Sequence, residues 1–465
     1  MKIAAALHQA GVSRVLEAGG AGYADAVAGF DLACAYAPDV VVDAGTSADV
    51  ASAVAVAADR GQTVTVLGSG HGRLHGLDGG MAITVRHLDA VDVDAVGRTA
   101  RIGAGSTWGP VLAATAPHGL AALCGSAPEV GVVGYLLGGG LGPLASSLGF
   151  SSDHVRSFDV VTPADGAITV SADVHPDLFE AMRGGKGGFG VVTAVTVDLL
   201  AVSHVYGGGV YFDVEDAPAV LSAYAAWAPS LPDSTTTSIA LLRLPRSDAL
   251  PDALRGRHVA HLRFASLDTV AAAQSQLAEM LDVARPVLDT VDVLPYGRIG
   301  TIHGDPTDPM PVVNGTAPLV GLEQDTVDAV LAAALDADLP LSSVEIRTLG
   351  PATKRAPTTG DAVGGRSAVH LLNVYAAPDP TVSDTDRLTD VRTALGVVAP
   401  WRAPVNLVNF VGRANAADAV VGSWTPEQND RLDSIRGRHD PDRIFPFARH
   451  GGTPTVDGAG DDRHG

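Results

Sequence analysis

Hydrophobic residues near the N-terminus are grouped in an order typical of a strand, a helix and a second strand. Residues 40–42 form a β-branched run, and residues 50–59 are rich in alanine and valine, as a helix requires. Ser47 and Asp49 offer N-cap chemistry at the start of that helix, and residues 64–67 alternate like a strand. The pattern predicts a βαβ-like unit, and similar alternation continues to about residue 200.

The pattern changes beyond residue 202. Strand-like segments alternate with Ala- and Asp-rich helical segments, and we place the strands at 205–214, 237–244, 258–265, 344–349 and 368–374. Such a succession predicts an antiparallel sheet with helices on one face. The block 401–449 predicts a strand at 405–411 and a helix after Thr425-Pro426, while the Gly- and Asp-rich residues 451–465 predict a disordered tail.

Length and composition agree with two folded domains. A chain of 465 residues with 46% hydrophobic residues and a mean hydropathy of +0.21 can bury two cores. We expect an α/β domain over residues 1–200, with its core starting near residue 36. An α+β domain over 201–400 follows, and a segment at 401–450 returns to the first domain.

Charge and cysteine content exclude several classes of protein. The net charge of −21 argues against nucleic-acid and anionic-membrane partners, because such a surface repels phosphates. Two cysteines cannot form a disulfide scaffold, although a single bridge stays open. No apolar run reaches membrane-spanning length, and the N-terminal apolar stretch is too short for a signal peptide. We therefore expect a cytoplasmic protein.

Three glycine-rich stretches lie at element junctions, at 68–80, 131–142 and 184–190. The first begins Gly68-Ser69-Gly70-His71-Gly72 directly after a strand, where successive backbone N–H groups can form an anion-binding nest. His71 is then held beside whatever the turn binds, although an ordinary turn histidine is the alternative. The second contains Gly138-Gly139-Gly140, where bare backbone would let a bulky polar group approach closely. Together the three stretches predict a large bound molecule.

Competing motifs fail on their context. Gly185-x-Gly187-x-x-Gly190 matches the dinucleotide pattern formally, but it precedes a strand instead of opening a helix. His71 and His75 have helical spacing inside a glycine-rich loop, so we predict no metal site. The sequence contains no Gly-x-Ser-x-Gly nucleophile elbow.

In this order, the three glycine stretches resemble the PCMH-type FAD-binding domain of the vanillyl-alcohol-oxidase superfamily, and more narrowly its berberine-bridge-enzyme and 6-hydroxy-D-nicotine-oxidase branch. Residues 151–166, 177–185, 406–410 and 440–445 also fit that pattern. The resemblance implies a two-domain FAD-binding fold of mixed α/β and α+β class, in which an antiparallel-sheet domain covers the substrate.

The resemblance also implies where FAD lies. Members of the branch bond the corresponding histidine, here His71, to the 8α-methyl of the flavin. Bicovalent members have a cysteine where this chain has Ala127, so we expect a single histidyl bond and no bond from Cys124. The position of Val130 flanks the oxygen pocket. The residues expected to bind FAD are Leu67, Gly68, Ser69, Gly70, His71, Gly72, Pro128, Val130, Gly131, Gly134, Tyr135, Gly138, Gly139, Gly140, Gly190 and Val192.

Candidate catalytic residues lie on the substrate side. Glu345 and Arg347 are two apart, so both leave one face of their strand, and Glu345 could be the general base. An ion pair on a solvated sheet face is an equal alternative. Tyr135 and Asn409 are further candidates for the cavity.

These residues predict an FAD-dependent oxidase. It would transfer hydride from a C–H bond α to oxygen or nitrogen of a small natural product, with reoxidation by O₂. A flavin-dependent oxygenase or dual oxidase of polyketide-type metabolism remains an alternative. So does a non-catalytic flavin-binding protein, because residues 446–450 depart from the family pattern. The oligomeric state cannot be read from the sequence.

Overall fold

The N-terminal half of the chain is built on short strands. The structure is a computed structural model and describes residues 2–379 and 381–447. The strands in this half are β1 Val15–Glu17, β2 Tyr36–Ala37, β3 Val40–Asp43, β4 Val64–Leu67, β5 Leu77–Asp78, β6 Met81–Thr84, β7 Val91–Asp94, β8 Thr99–Gly103, β9 Val155–Thr162, β10 Gly166–Ser171 and β11 Val191–Asp198.

These strands form two main sheets. The first has the order β1-β3-β6-β4, in which β3, β6 and β4 are parallel and β1 is antiparallel to β3. The second is antiparallel, with the order β10-β9-β11-β8-β7, and β2 and β5 form a small parallel pair. The predicted βαβ unit is confirmed, with β6 inserted between its two strands.

Seven helices in the described part of this half connect and cover the strands. They are α1 Ile3–Gln9, α2 Tyr23–Val27, α3 Ser47–Arg60, α4 Trp108–Thr115, α5 Val132–Leu136, α6 Ala145–Leu148 and α7 Pro176–Met182. Helix α3 lies between the two main sheets and contacts strands of both. Its N-cap is Thr46, whose side chain accepts from the N–H of Asp49 in a capping box, so the prediction of Ser47 as the cap was one residue late.

The central part of the chain forms one large antiparallel sheet with the order β15-β12-β14-β13-β18-β19-β17 and with β16 beside β12. Its elements are β12 His204–Asp213, α8 Ala217–Trp227, β13 Thr235–Arg243, β14 His258–Ser266, α9 Val270–Leu281, β15 Leu288–Asp289, β16 Asp292–Pro295, β17 Val313–Leu319, α10 Gln324–Leu335, β18 Ser343–Thr348, β19 His370–Ala376 and α11 Asp384–Gly396. The five predicted strands are confirmed within two residues at each end, whereas β17 was not predicted.

The two faces of this sheet differ in chemistry. Val344 and Ile346 of β18 point to one side and join Phe264 in a core that also contains residues of helices α8 to α11. Glu345 and Arg347 point to the opposite side, as the period of two requires. The helices therefore cover one face, as predicted, and the other face turns a row of polar side chains toward the N-terminal half.

The C-terminal segment returns to the first core. Helix α12 Pro426–His439 contacts α7, and the N–H of Val64 donates to the carbonyl of Ile444 at 2.7 Å. The predicted helix after Thr425 is confirmed, but the predicted strand at 405–411 is wrong: only a 3₁₀ turn, Val408–Phe410, forms there.

The domain boundaries predicted at 200 and 400 stay predictions. The tail predicted at 451–465, together with residues 448–450, lies outside the described residues. Among the described residues, no helix combines the length and apolar character that a membrane span requires.

Candidate active site

The turn after β4 presents a row of free donors. Leu67 is buried at the end of the strand, and Gly70 has a φ of +78°, which favours glycine. The carbonyls of Ser69 and Gly70 accept hydrogen bonds from the N–H groups of Phe30 and Asp31. The five N–H groups of residues 68–72, by contrast, donate to no described residue. Consecutive amides of this kind can form a nest for an anion, and anion binding at this turn stays a prediction.

His71 is fixed within this turn. Its ring stacks on Phe30 with a centroid distance of 4.0 Å, and Nδ1 lies 2.9 Å from the Ser69 hydroxyl. Burial lowers the pKa of His71 to about 4, so the imidazole is neutral at physiological pH. Its Nε2 has no hydrogen bond to any described residue. The Ser69 hydroxyl also accepts from the N–H of Gly131 at 3.0 Å, which brings the first two glycine stretches together.

The residues just before the second stretch are hydrogen-bonded to the first turn of helix α4. The carbonyls of Pro128 and Val130 accept from the N–H groups of Gly109 and Trp108, at 2.8 and 3.2 Å. Gly134 is exposed, and a Cβ added there would meet nothing within 4 Å. Open space of the same kind borders Gly68 and Gly72.

An added Cβ on any residue of the triple glycine would meet another side chain of the protein. A Cβ on Gly138 would collide with the side-chain amide of Asn409, one on Gly140 with the Tyr135 ring, and one on Gly139 would press on Val363. These glycines therefore make room for the protein's own side chains. Contact of Gly138, Gly139 and Gly140 with FAD stays a prediction.

The third stretch also lies against other parts of the protein. A Cβ on Gly190 would collide with the carbonyl of Val161, and Val192 is buried in β11. The Arg436 guanidinium of α12 donates to the carbonyl of Gly187 at 2.9 Å and so fixes the loop. Direct contact of Gly190 or Val192 with FAD stays a prediction.

A cluster that the sequence analysis did not identify joins the second and third stretches. Lys186 donates from Nζ to the carbonyl of Gly134 at 3.0 Å and to Oδ1 of Asn409 at 2.5 Å. Burial lowers the pKa of Lys186 to about 8. Asn409 in turn donates to the carbonyl of Tyr135 at 2.7 Å. The predicted site residues Tyr135 and Asn409 are thus brought together, with a cation between the two stretches.

Tyr135 packs within the glycine-rich stretch. Its ring meets Trp108 edge-on at a centroid distance of 5.6 Å, and its hydroxyl accepts from the Ser151 hydroxyl at 3.3 Å. Burial raises the pKa of Tyr135, so the phenol stays protonated at neutral pH.

A cavity separates the second glycine stretch from the large sheet. Leu141 and Pro143 form part of one wall, directly after the triple glycine. Arg263 and Arg347 lie on the opposite wall with His303. Pockets between two structural units are common places for small-molecule sites, so this cavity is the candidate substrate site.

Glu345 lies at the centre of an ion-pair network behind the cavity. Its Oε1 contacts the Arg263 guanidinium and accepts from the Ser238 hydroxyl at 3.3 Å. Its Oε2 accepts from Nε of Arg347 at 2.9 Å and from the Asn373 amide at 3.2 Å. Burial alone would raise the pKa of Glu345, but the two arginines outweigh it and lower the pKa to about 2. The alternative of a solvated Glu–Arg pair is wrong, because the carboxylate is only 4% exposed.

Two histidines complete the polar face, and the sequence analysis missed both. Nε2 of His303 lies 3.8 Å from Oε1 of Glu345. Burial and then Arg263 lower the pKa of both His303 and His261 well below the usual value, so both rings are neutral. Within the described chain, Nδ1 of His303 and both ring nitrogens of His261 lack hydrogen-bond partners. The strand alternation of His261 with Arg263 was the signal available in the sequence.

Both cysteines are free and buried. The Sγ of Cys124 lies 3.6 Å from the Tyr296 hydroxyl, and burial raises the pKa of the thiol to about 11. A protonated, enclosed thiol is a poor nucleophile. No disulfide joins Cys34 and Cys124.

Known proteins resemble this chain in sequence. Residues 38–171 match the FAD binding domain family. An FAD-dependent monooxygenase of Fusarium proliferatum is 37% identical over 177 residues, which cover 37% of this chain and 34% of that protein. The (R)-6-hydroxynicotine oxidase of Paenarthrobacter nicotinovorans is 29% identical over 286 residues, 58% of each protein. The chain thus spans about a third to three fifths of the length of these curated relatives.

Solved structures agree over nearly the whole chain. A crystal structure of 6-hydroxy-D-nicotine oxidase from Arthrobacter nicotinovorans matches with a TM-score of 0.81 and 22% identity, covering 93% of this chain and 96% of that one. The berberine-bridge-enzyme-like protein 1 of Physcomitrella patens matches with a TM-score of 0.83 and 20% identity, covering 96% and 98%. The chain therefore shares the fold of these two structures, and its residues 38–171 resemble an FAD binding domain.

Proposed function

We propose that this protein is an FAD-dependent oxidoreductase that oxidises a small molecule in the cavity between the second glycine stretch and the large sheet. The observation that carries the proposal is the turn at 68–72, whose five N–H groups have no acceptor among the described residues and which includes the neutral His71. Those donors fit the pyrophosphate of FAD, and the open space beside Gly68 and Gly72 leaves room for it. The relatives named above carry oxidase and monooxygenase names, which supports the class of reaction.

We further propose that FAD is attached through His71 alone. A covalent bond from imidazole needs a nitrogen lone pair, and the lowered pKa of His71 keeps the ring neutral. Ser69 and Phe30 fix the ring orientation. A second bond would need a thiolate, and Cys124 is enclosed beside Tyr296 with a raised pKa.

FAD bound here would supply a two-electron acceptor for a C–H bond α to oxygen or nitrogen, with O₂ as the proposed terminal oxidant. The protein's part is to hold the substrate in the cavity and to take up the proton of its O–H or N–H group. Asn409 and Lys186 hold the glycine-rich stretch in position through the carbonyls of Tyr135 and Gly134.

The proton acceptor is better placed at His303 than at Glu345. The four polar partners of Glu345 and its pKa of about 2 make it a weak base, although it remains the prediction from the sequence. His303 lines the cavity as a neutral imidazole, and its Nδ1 has no partner within the described chain. Burial, Arg263 and Arg347 disfavour the imidazolium formed when Nδ1 takes the proton, and the Glu345 carboxylate, 3.8 Å from Nε2, is the group that would offset them.

Replacing His303 by glutamine is expected to slow anaerobic flavin reduction by about 10²–10⁴-fold, the usual contribution of general-base catalysis. Stopped-flow absorbance measures the rate. His261→Gln is the matched control, because His261 is a neutral, buried histidine on the same sheet face, and its rate should stay near wild type. A His303→Gln rate equal to that of the control would exclude His303 as the acceptor and leave Glu345.

The oxidoreductase proposal is tested by mixing the flavin-loaded protein anaerobically with a panel of alcohols, amines and reducing sugars. A substrate should bleach the flavin absorbance, and admitting air should restore it with one peroxide formed per turnover. No bleaching by any compound, together with failure of a chemical reductant to bleach the protein, would contradict the proposal.

An oxygenase is the second candidate, since one curated relative is named a monooxygenase. Mass spectrometry of product formed under ¹⁸O₂ separates the two. Label in the product indicates an oxygenase, and label only in peroxide indicates an oxidase.

A further inference from the structure

The cavity wall formed by the large sheet is cationic at its centre. Arg263 of β14 and Arg347 of β18 flank Ser238 of β13, which pairs with both of them across the sheet. The side chains of Arg263 and Arg347 are 7% and 14% exposed. Two guanidinium groups are thus held side by side, largely out of water, at the edge of one cavity.

These guanidinium groups have N–H donors that have no acceptor within the described chain. Each arginine carries five N–H donors in a planar fork. To described side chains or carbonyls, Arg347 donates only from Nε, to Glu345, and Arg263 only from Nη1, to the same carboxylate. Both terminal nitrogens of Arg347 and the Nη2 of Arg263 are left without a protein acceptor, and Nε of Arg263 is buried without a partner. Nε of Arg263 is a buried donor, and its lack of a partner within the described chain is costly unless something else accepts from it.

The charged groups around the two arginines also indicate that an anion is missing. Glu345 is the only carboxylate within 4 Å of either arginine in the described chain, so it neutralises one of the two positive charges. Asp305 acts on Arg347 from farther away and is itself the acceptor of the Ser126 hydroxyl at 2.6 Å. His303 and His261 are neutral and add no charge. In the described chain, one of the two guanidinium charges therefore has no carboxylate of its own within 4 Å, and Asp305 offsets it only from a distance.

We propose that the cavity takes a substrate bearing a carboxylate, which the free edges of Arg263 and Arg347 bind through paired N–H···O bonds. A carboxylate supplies two coplanar acceptors at the spacing of a guanidinium fork, together with the missing negative charge. The lining also includes Leu141, Pro143 and Ile302, which offer apolar contacts to a hydrocarbon or aromatic body, beside the hydroxyl groups of Thr236, Thr237 and Thr348. This substrate class rests on the proposed function.

The test uses benzoate as the probe and benzamide as its uncharged match. Isothermal titration calorimetry of the flavin-loaded protein measures both without depending on turnover. Benzoate is expected to bind at least about tenfold more tightly than benzamide, as charge-assisted hydrogen bonds predict. Equal binding, or binding of neither compound, would overturn the proposal, as would inorganic phosphate displacing benzoate at equal concentration.

Variants assign the binding to the two arginines. Arg263→Met and Arg347→Met should each weaken benzoate binding by about ten- to a hundredfold and leave benzamide binding unchanged. Arg347→Lys, which keeps the charge but loses the fork, should fall between wild type and Arg347→Met. Arg257→Met is the matched control, because Arg257 is an exposed arginine next to the same sheet, paired with Asp213. Benzoate binding weakened equally in Arg257→Met would mean a general charge effect and would contradict the assignment.

Failure of this inference is distinguishable from failure of the proposed function. A protein whose flavin is bleached by a substrate, but which does not prefer benzoate, retains its function and loses the carboxylate assignment. A protein that binds benzoate but holds no flavin retains the anion site and loses the oxidoreductase proposal. Because the comparison of benzoate with benzamide uses the wild-type protein, it stands even where a variant fails to fold.

Discussion

Replacing His71 by alanine is expected to convert acid-stable flavin into flavin that acid releases. In the wild-type protein, acid precipitation should leave the yellow colour in the pellet, because a covalent bond survives unfolding. In His71→Ala the colour should move to the supernatant. Non-covalent FAD should still bind before acid treatment, since the N–H donors of residues 68–72 belong to the backbone and are unchanged.

His75→Ala is the matched control for this change. His75 is an exposed histidine of the same loop region and contacts only the carbonyl of Gly76 within the described chain, at 3.0 Å. Its pellet should stay yellow. A yellow pellet from His71→Ala would place the bond elsewhere, and colour in the wild-type supernatant would exclude a covalent bond while leaving the FAD site intact.

Replacing Glu345 by glutamine is expected to destabilise the fold strongly. The substitution removes the buried negative charge shared by Arg263 and Arg347, and uncompensated buried charge costs about 3–5 kcal/mol. Denaturation in urea measures the loss. Glu279→Gln, at an exposed position on helix α9, should change stability by less than about 0.5 kcal/mol.

The difference in stability between wild type and Glu345→Gln should also depend on pH. The folded-state pKa of Glu345, about 2, lies below its ordinary value of 4.5, so ionised Glu345 stabilises the fold above pH 4.5. That contribution is lost as the pH falls toward 2. The stability gap between wild type and Glu345→Gln should therefore be widest above pH 4.5 and narrow below it. A gap that is small at neutral pH, or constant with pH, would show that the ion-pair network is not as described.

The first glycine stretch could be predicted from sequence because its chemistry is local. A strand followed by Gly68-Ser69-Gly70-His71-Gly72 leaves consecutive N–H groups without partners whatever the rest of the fold does. The triple glycine could not be interpreted in that way. What lies opposite Gly138 and Gly140 is decided by Asn409, nearly 300 residues away, and by the rotamer of Tyr135.

The wrong strand at 405–411 has a related cause. Its apolar and β-branched residues are strand-like, but the two asparagines make specific bonds instead of lining a sheet. Asn406 donates to the carbonyl of Ala419 at 3.0 Å, and Asn409 to that of Tyr135. Side-chain to backbone hydrogen bonds of this kind compete with ladder formation.

The cationic wall of the cavity could not be predicted from the sequence alone, because it depends on how the strands of the sheet pair. Glu345 and Arg347 could be placed on one face from their spacing, whereas Arg263 and His303 come from separate segments. Only the pairing of β14 with β13, and of β13 with β18, brings Arg263 beside Glu345. Long-range register is set by the whole sheet, and local pattern does not reveal it.

The most direct test of the account is the visible spectrum of the purified wild-type protein, recorded under nitrogen, after chemical reduction and again in air. We expect the two bands of oxidised flavin, their loss on reduction and their return with oxygen. A colourless protein, even after expression with added FAD precursor and incubation with FAD, would contradict the assignment of residues 68–72 as a flavin site and with it the proposed function.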